Sequence, residues 1–242
     1  MAVFGSFRMA SSKACAVDAS AGSRTFLMRG DGTAGLAPTQ DDLGNAVAMS
    51  ASGRTKYQAS PKYWSDYTTA LFFDSSGYTT AGAPFNFGSG GAPFSLLLRP
   101  WFVTGVGGET AQPILATGNG FGSWGPGGLQ NEIRLVSAGT VRLNFYSGTT
   151  PYTFDIAAPA SIMDSAHEVL ITYDGTTTRG YIDGSLRAST MQAYTAIGGT
   201  LTARIGDPTD ASYVKVGVTD FTAYASCLTT ASSYTLPTLP PC

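Results

Sequence analysis

The stretch HEVLITYDGTTTRGYIDG, residues 167–184, decides the fold class of this chain. It contains two runs of β-favouring residues, 168–173 and 178–182, and each run is followed by an Asp-Gly pair. Such pairs are typical of tight turns, because Gly readily adopts positive φ and Asp hydrogen-bonds the backbone two residues further on. The stretch therefore predicts a β-hairpin that closes on a second turn.

A second hairpin is predicted further upstream, where the runs 131–137 and 141–146 flank the short turn 138–140. Apolar residues alternate along both runs, as is expected when one face of a sheet is buried. They are Ile133, Leu135, Val141, Leu143 and Phe145. Two more segments, 94–99 and 214–221, have the composition of strands.

Helical patterns are nearly absent from the sequence. No window keeps an apolar period of 3.6 residues for more than about two turns, and residues 226–234 predict at most one short helical turn. Turn signals recur at intervals of roughly 8–12 residues, as in β-sandwiches. The predicted fold class is all-β: an antiparallel β-sandwich of the jelly-roll type.

The composition excludes several classes of partner. Charged residues make up 12% of the chain, against about 25% in an average domain. The formal net charge is −2, and without a basic run we expect no nucleic-acid partner. We also expect no membrane span, because no apolar stretch approaches the roughly 20 residues that a bilayer requires.

The two ends of the chain differ from its middle. Residues 1–23 are small and polar and predict an extended N-terminal arm, followed by the sandwich at 24–234. TLPTLPPC, residues 235–242, predicts a Pro-rich C-terminal tail, because Pro continues neither a helix nor a strand. The N-terminus lacks the apolar segment of a secretory signal, so we expect a protein made in a cytoplasm and not exported by that route.

Three cysteines, Cys15, Cys227 and Cys242, cannot all pair within one chain. Their spacing fits no zinc pattern, and His167 is the single histidine. One interpretation is three reduced thiols in a reducing compartment. The other is that Cys15 or Cys242, both near chain ends, cross-links neighbouring subunits.

Taken together, seven segments resemble the LamG-like jelly-roll domains of the concanavalin A-like lectin/glucanase superfamily, of the kind found in bacteriophage virion proteins. The segments follow the order of that family over about residues 24–232. They are TFLMRGDGT (25–33), DDLGN (41–45), ALFFDSSGYT (70–79), FNFGSGGAPFSLLLRPW (85–101), HEVLITYDGTTTRGYIDG (167–184), LTARIGD (201–207) and GVTDFTAY (217–224). The sequence departs from the family pattern at Ala166, where a Trp is usual, and at Ser75, where a Gly is usual.

The resemblance implies a concanavalin A-like sandwich, a fold that carries lectins, glycanases, receptors and virion proteins, so the residues must decide the function. A glycosidase needs two carboxylates placed across the scissile bond. Glu109, Glu132 and Glu168 are scattered and lack the glucanase pattern. His167 stands where the family has a structural residue at a strand entry, and no nucleophile for it is identified from the sequence. We therefore expect no enzymatic activity.

Calcium is a ligand of some relatives, and Asp74, Asp207 and Asp210 fall in predicted loops. Calcium takes six to eight oxygen ligands, and Asp is also a common turn former. The second interpretation is favoured. We expect no metal and no cofactor.

Sugar binding calls for exposed aromatic rings beside polar groups. The Gly-rich loop 118–131 carries such a set, and a second aromatic cluster falls at 63–67. The aromatic residues of either segment could instead pack on the sandwich. The candidate ligand-binding residues are Phe121, Trp124, Gln130, Asn131, Tyr63 and Trp64.

Two functions remain open. The first is a non-enzymatic structural protein of a virus particle, such as a bacteriophage capsid decoration or a tail-associated surface protein. Its partners would be other virion subunits, of the same chain or of the capsid or tail, in a homo-oligomer or a lattice. The arm, the tail and the resemblance favour it. The alternative is a lectin-like adhesion module that recognises surface glycans.

Overall fold

The protein folds as two antiparallel β-sheets packed face to face, as a computed structural model of the chain shows. The structure describes residues 20–36, 38–49, 56–74, 78–81, 91–104, 112–118, 129–147, 149–192, 202–206 and 215–240. Within these ranges the regular structure is fifteen strands and one short 3-10 helix (Ala21–Ser23). The predicted all-β antiparallel sandwich is confirmed.

The first sheet has eight strands within the described part of the chain. β13, β12, β11, β6, β15, β4 and β3 are neighbours in that order, and β1 also pairs with β15. Their bounds are β1 (Arg24–Arg29), β3 (Lys56–Gln58), β4 (Ala70–Asp74), β6 (Phe94–Phe102), β11 (Val169–Tyr173), β12 (Thr178–Ile182), β13 (Ser185–Thr190) and β15 (Lys215–Tyr224).

The second sheet has seven strands among the residues described, in the order β10, β9, β8, β7, β14, β5 and β2. Consecutive strands β7 to β10 are neighbours, while β14 returns late in the chain to join β7 to β5. Their bounds are β2 (Val47–Met49), β5 (Tyr78–Ala81), β7 (Gln112–Gly118), β8 (Leu129–Ser137), β9 (Thr140–Ser147), β10 (Thr150–Ala157) and β14 (Thr202–Gly206).

Both predicted hairpins are present. β11 pairs with β12 in the register Val169 to Ile182, and the carboxylate of Asp174 accepts the N–H groups of Thr176 and Thr177 in the turn, each at 2.9 Å. β8 pairs with β9 in the other. The five alternating apolar residues of that hairpin are all buried in the core between the sheets. The alternation of apolar residues in the sequence therefore predicted correctly which face of this hairpin is buried.

The outer face of the first sheet is covered by the chain itself. Leu97, Leu170, Tyr181 and Tyr224 form a small buried cluster there. The segment 225–236 runs across this cluster without helical structure, so the short helical turn that the sequence allowed at 226–234 does not form. Its backbone groups bond to the sheet instead of to each other: two examples are Leu228 N–H to Ser95 Oγ (2.9 Å) and Tyr181 Oη–H to the carbonyl of Ala231 (2.8 Å).

The predicted domain bounds stay predictions. β1 begins at Arg24, but most of the predicted arm 1–23 lies outside the described residues, and the tail is described as far as Pro240. None of the helical structure in the described ranges has the length and apolar character needed to cross a membrane.

Candidate functional site

A cleft with a volume of about 450 Å³ opens beside the C-terminal end of β1. Its walls come from the end of β1, from the loop that follows it and from β3. The lining is mainly polar, and it includes Arg29, Asp31, Gln40, Asp42 and Tyr57. The volume lies within the range of small-ligand sites, but the lining is more polar than is usual for them.

One buried carboxylate holds the loop that forms one wall. Asp41 is 4% exposed. It accepts backbone N–H groups from Leu27 (3.1 Å), Leu43 (3.0 Å) and Asn45 (2.6 Å), and also the side-chain amide of Asn45 (2.8 Å). One of these four bonds joins Asp41 to β1, and the other three hold residues 41–45 together, so this wall is ordered without a ligand.

The opposite wall is held by backbone bonds to β3. Gly35 N–H donates to the carbonyl of Tyr57 (2.8 Å), and Tyr57 N–H donates to the carbonyl of Leu36 (2.9 Å). Gly32 lies so close to the Tyr57 ring that an added Cβ would come within 2.0 Å of a ring carbon. A larger residue at position 32 would force the Tyr57 ring to move, so Gly32 allows this ring to lie against the loop beside the cleft.

Two of the charged side chains of the cleft, Arg29 and Asp42, pair with each other, whereas Asp31 does not pair with a described residue. Arg29 Nη2 lies 3.0 Å from Asp42 Oδ1, and Arg29 N–H donates to Asp42 Oδ2 at 3.0 Å. Burial alone would lower the pKa of Arg29, but the hydrogen bond and charge of Asp42, with Asp31 adding to them, raise it above its usual value. The exposed Asp31 carboxylate lines the cleft and forms no hydrogen bond or ion pair with another described residue.

The rim of the cleft is apolar. Leu36 lines it and is 59% exposed, and Leu43, which follows Asp42 in the loop, is 47% exposed. Cleft and rim together offer a carboxylate acceptor, a guanidinium donor, an amide, an aromatic ring and aliphatic surface. This set suits a ligand that carries many hydroxyls on an apolar framework.

Metal binding finds no support in the described ranges, where no group of three or more His, Cys, Asp or Glu side chains could hold an ion. Of the three aspartates weighed as calcium ligands, Asp74 ends β4, and Asp207 and Asp210 lie outside the described residues.

The outer face of the second sheet carries charged side chains that bond to one another. Arg142 Nε and Asp155 Oδ1 lie 2.6 Å apart. Glu132 Oε2 accepts from Arg134 Nη1 at 3.3 Å and from Asn144 Nδ2 at 3.1 Å. These groups already satisfy each other, so the face offers fewer unused polar atoms than the cleft does.

Two of the candidate residues taken from the sequence, Tyr63 and Trp64, lie on the outer face of the first sheet. Trp64 is 6% exposed, and its ring centroid is 4.0 Å from Cζ of the buried Arg99; that of Tyr63 is 5.7 Å away. Trp64 thus covers a buried charge, and this placement does not support contact with a ligand.

The other candidate residues are more scattered. Asn131 is 5% exposed, and its Nδ2 donates to Thr117 Oγ1 at 2.8 Å inside the sandwich. Gln130 lies in β8, but its side chain is not described. Phe121 and Trp124 lie outside the described residues, as do Cys15 and Cys242, so their predicted roles stay predictions.

Sequence reasoning missed the residues that line the cleft. Asp41 and Asp42 were noted only as part of the segment 41–45 that resembles the family, and not as residues of a site. Arg29 and Tyr57 are far apart in the sequence and meet through the loop between them. The available signal was a Gly-Asp-Gly sequence, 30–32, directly after an apolar strand, since polar loops at strand ends often carry ligand sites.

Comparisons with known proteins agree with this fold. A sequence profile described as the concanavalin A-like lectin/glucanases superfamily, of laminin G type, matches residues 73–232. No curated protein matches the chain in sequence.

Solved structures with the same fold include botulinum neurotoxin domains. The serotype D binding domain has a TM-score of 0.60 at 12% identity, over 86% of this chain and 48% of that chain. The serotype C1 binding domain has a TM-score of 0.60 at 14% identity, over 86% and 50%. A type C structure, described as dependent on two ganglioside molecules for cell entry, has a TM-score of 0.59 at 12% identity, over 86% and 49%.

At these identities the likeness shows the fold alone, and the chain spans about half the length of the structures it matches. The sequence profile, in contrast, matches well over half of the chain. With its two antiparallel sheets and its ordered motifs, the chain belongs to the laminin-G-type family of the concanavalin A-like lectin/glucanase superfamily.

Proposed function

We propose that this domain binds carbohydrate in the cleft at the end of β1. The observation that carries the proposal is the preformed cleft itself, in which Arg29, Asp31 and Asp42 converge beside the ring of Tyr57. Sugar hydroxyls donate to carboxylates and accept from guanidinium groups, and the C–H face of a pyranose packs on rings and aliphatic side chains. The exposed Leu36 adds aliphatic surface at the rim.

The rigidity of the walls favours binding. A ligand that enters a site held by its own hydrogen bonds does not have to order the loops, so less of the interaction free energy is lost on binding. Asp41 and the backbone bonds of Tyr57 provide this order. The ganglioside interaction of one structurally similar neurotoxin adds support, since that protein uses a related fold with a carbohydrate-bearing ligand.

The test is a glycan array followed by calorimetry on the retained glycans, with Asp31→Asn as the probe. We expect this change to reduce affinity about tenfold, because a charged acceptor is lost. The unfolding free energy should change by less than about 0.5 kcal/mol, since Asp31 is exposed.

Asp155→Asn is the matched control, because Asp155 is an exposed aspartate on β10 in the other sheet. Binding should survive this change. Equal affinity of wild type and Asp31→Asn, or no glycan retained by wild type at all, contradicts the proposal.

A structural role in a virus particle is the second proposal, carried over from the sequence. It depends on the predicted arm and on Cys15 and Cys242, which lie outside the described residues. Native mass spectrometry with and without reductant tests it. A multimer that dissociates on reduction supports it, and a monomer under both conditions speaks against a disulfide-linked assembly.

A further inference from the structure

Three side chains outside the cleft lie in a hydrogen-bonded row at the entry to β11. Ser165 Oγ is 2.8 Å from His167 Nε2. The other ring nitrogen, His167 Nδ1, is 2.7 Å from Asp183 Oδ2. A hydroxyl, an imidazole and a carboxylate in this order are the arrangement by which enzymes activate a serine for attack on an acyl group.

The carboxylate end of the row is fixed. Asp183 Oδ1 accepts the N–H of Glu168 at 2.9 Å, and Asp183 N–H donates to the carbonyl of Glu168 at 2.9 Å. Asp183 has a φ of 51°, a left-handed conformation that its hairpin turn holds. Burial raises the pKa of Asp183, but the hydrogen bonds from His167 and Glu168 outweigh it and lower the pKa below its usual value.

An ionised Asp183 sets the direction of the whole row. Its oxygen accepts the proton on Nδ1 of His167, and in a neutral imidazole the unprotonated Nε2 then faces the hydroxyl of Ser165. This tautomer is assigned from the hydrogen-bond network. In that state the imidazole can take the hydroxyl proton of Ser165, as a general base must.

The serine end of the row is also held. The neighbouring Asp164 has a φ of 55°, and its carboxylate accepts the Thr104 N–H (3.0 Å) and Oγ1–H (2.6 Å). Among the described residues, no acceptor is present for the backbone N–H groups of Ser165 and Ala166. Backbone N–H groups beside a nucleophile are the kind of donor that stabilises a developing oxyanion.

We propose that Ser165 is the nucleophile of a hydrolytic site for carboxylic esters with a small acyl group. His167 is the general base, and Asp183 is a positioning residue that orients His167. Ser165 Oγ bonds to the acyl carbon while its proton passes to His167 Nε2, and the alcohol leaves with that proton. Water then cleaves the acyl-serine to the free acid, again with His167 as the base. The site is shallow, because Ser165 and His167 are half-buried, and this favours a short acyl chain.

A second contact of Ser165 allows an alternative in which the three side chains have only a structural role. Its Oγ also lies 3.2 Å from the carbonyl of Met163. The hydroxyl has one proton, so it donates either to His167 or to Met163. If it donates to Met163, then His167 must be a doubly protonated imidazolium, the row only locks the hairpin, and Ser165 is an ordinary serine.

Hydrolysis and labelling distinguish the two arrangements. The full chain is incubated with p-nitrophenyl acetate and, separately, with a fluorophosphonate probe, whose site is mapped by peptide mass spectrometry. We expect label on Ser165 and ester hydrolysis above the buffer rate. In Ser165→Ala and His167→Gln the excess rate should fall about 100-fold or to background.

Ser161→Ala is the matched control, since Ser161 is an exposed serine of the same loop and not part of the row. Its rate and labelling should equal those of wild type. No label on Ser165, or an unchanged rate in Ser165→Ala, overturns the proposal, whatever the result for glycan binding in the cleft.

Asp183→Asn tests the positioning role. The carboxamide can donate to Nδ1 and reverse the tautomer, so Nε2 would carry a proton and could not accept one. We expect the acylation rate to fall and its dependence on pH to differ from that of wild type. Thermal unfolding of this variant must match that of wild type within a few degrees. An unchanged pH profile contradicts the assigned role of Asp183.

Discussion

Two of the arginine–aspartate pairs in the described part of the chain lie beside aromatic rings, and they differ in exposure. In the cleft, Arg29 and Asp42 have side chains that are 29% and 25% exposed. Behind Trp64, Arg99 lies 2.6 Å from Asp220 and 2.5 Å from Glu168, and all three side chains are at most 1% exposed.

The difference shows how the same chemical groups serve two purposes. Around Arg99 most of the charged groups are engaged by contacts within the protein: Thr222 Oγ1–H donates to Asp220 Oδ1 at 3.3 Å, and Tyr234 Oη–H donates to Glu168 Oε1. Arg99 Nε, in contrast, is buried without a hydrogen-bond partner. The buried cluster thereby attaches the segments around Trp64 and Tyr234 to the first sheet. In the cleft the carboxylate of Asp31 remains available to a ligand.

The largest effect is expected for Arg99→Ala. This change leaves Glu168 and Asp220 buried without a counter-charge, and breaking a buried pair in this way costs about 3–5 kcal/mol. Urea unfolding followed by tryptophan fluorescence measures the loss. Arg142→Ala removes a surface pair and should cost at most about 1 kcal/mol; equal losses for the two variants would mean that burial does not distinguish the pairs.

Trp64→Ala should have the next largest effect. The ring is buried and lies over Arg99, so its loss removes both apolar contact and a cation–π interaction, at a cost of about 3 kcal/mol. Glycan affinity measured by calorimetry should stay at the wild-type value. If the variant remains folded but no longer binds glycan, Trp64 contacts the ligand, as the sequence analysis suggested.

The buried cluster should also give stability a distinctive pH dependence. Burial raises the pKa of Asp220 to about 6, against the opposing charge of Arg99. The folded state then holds a proton that the unfolded state releases near pH 4. Stability from this group is therefore lost as the pH rises from about 4 to about 6.

The contribution amounts to at most about 3 kcal/mol. It is measured as the difference between wild type and Asp220→Asn in urea unfolding across this pH range. As the pH rises, the unfolding free energy of wild type should fall relative to that of Asp220→Asn, and this relative loss should level off above about pH 6. A difference that is constant with pH would show that Asp220 ionises as freely as it does in the unfolded chain.

A small stability effect is expected for Arg29→Ala. The pair with Asp42 is partly exposed, and such pairs contribute about 1 kcal/mol or less. Glycan affinity, in contrast, should fall about tenfold, because a charged donor to the ligand is lost. Calorimetry and urea unfolding on the same sample give both values. If Arg29→Ala lost much stability but kept its full glycan affinity, Arg29 would have a structural role like that of Arg99.

The strands could be predicted from the sequence where one local pattern was enough. Alternation from Ile133 to Phe145 and the Asp-Gly turn at 174–175 each depend on neighbours in the chain. The segment 226–234 was misjudged, because its conformation is set by acceptors and donors such as Ser95 and Tyr181 that lie elsewhere in the sequence.

The candidate sites were harder to predict for the same reason. Aromatic clustering at 63–67 indicated a binding surface, but a sequence cannot show that Arg99 is buried beneath Trp64. The role of Ser165 depends on a distance to His167 that the spacing of two residues allows but does not require. The cleft needs residues from β1, its following loop and β3 together.

The hydrogen bonds of Asp41 have a consequence for how this domain could change specificity. Because that single buried carboxylate supports the loop 41–45, the exposed side chains at its edge contribute little to folding. Leu36, Gln40 and Leu43 can then be exchanged almost freely. A library randomised at these three positions should yield variants that stay folded and differ in the glycan they retain, so that one scaffold can be adapted to many surfaces.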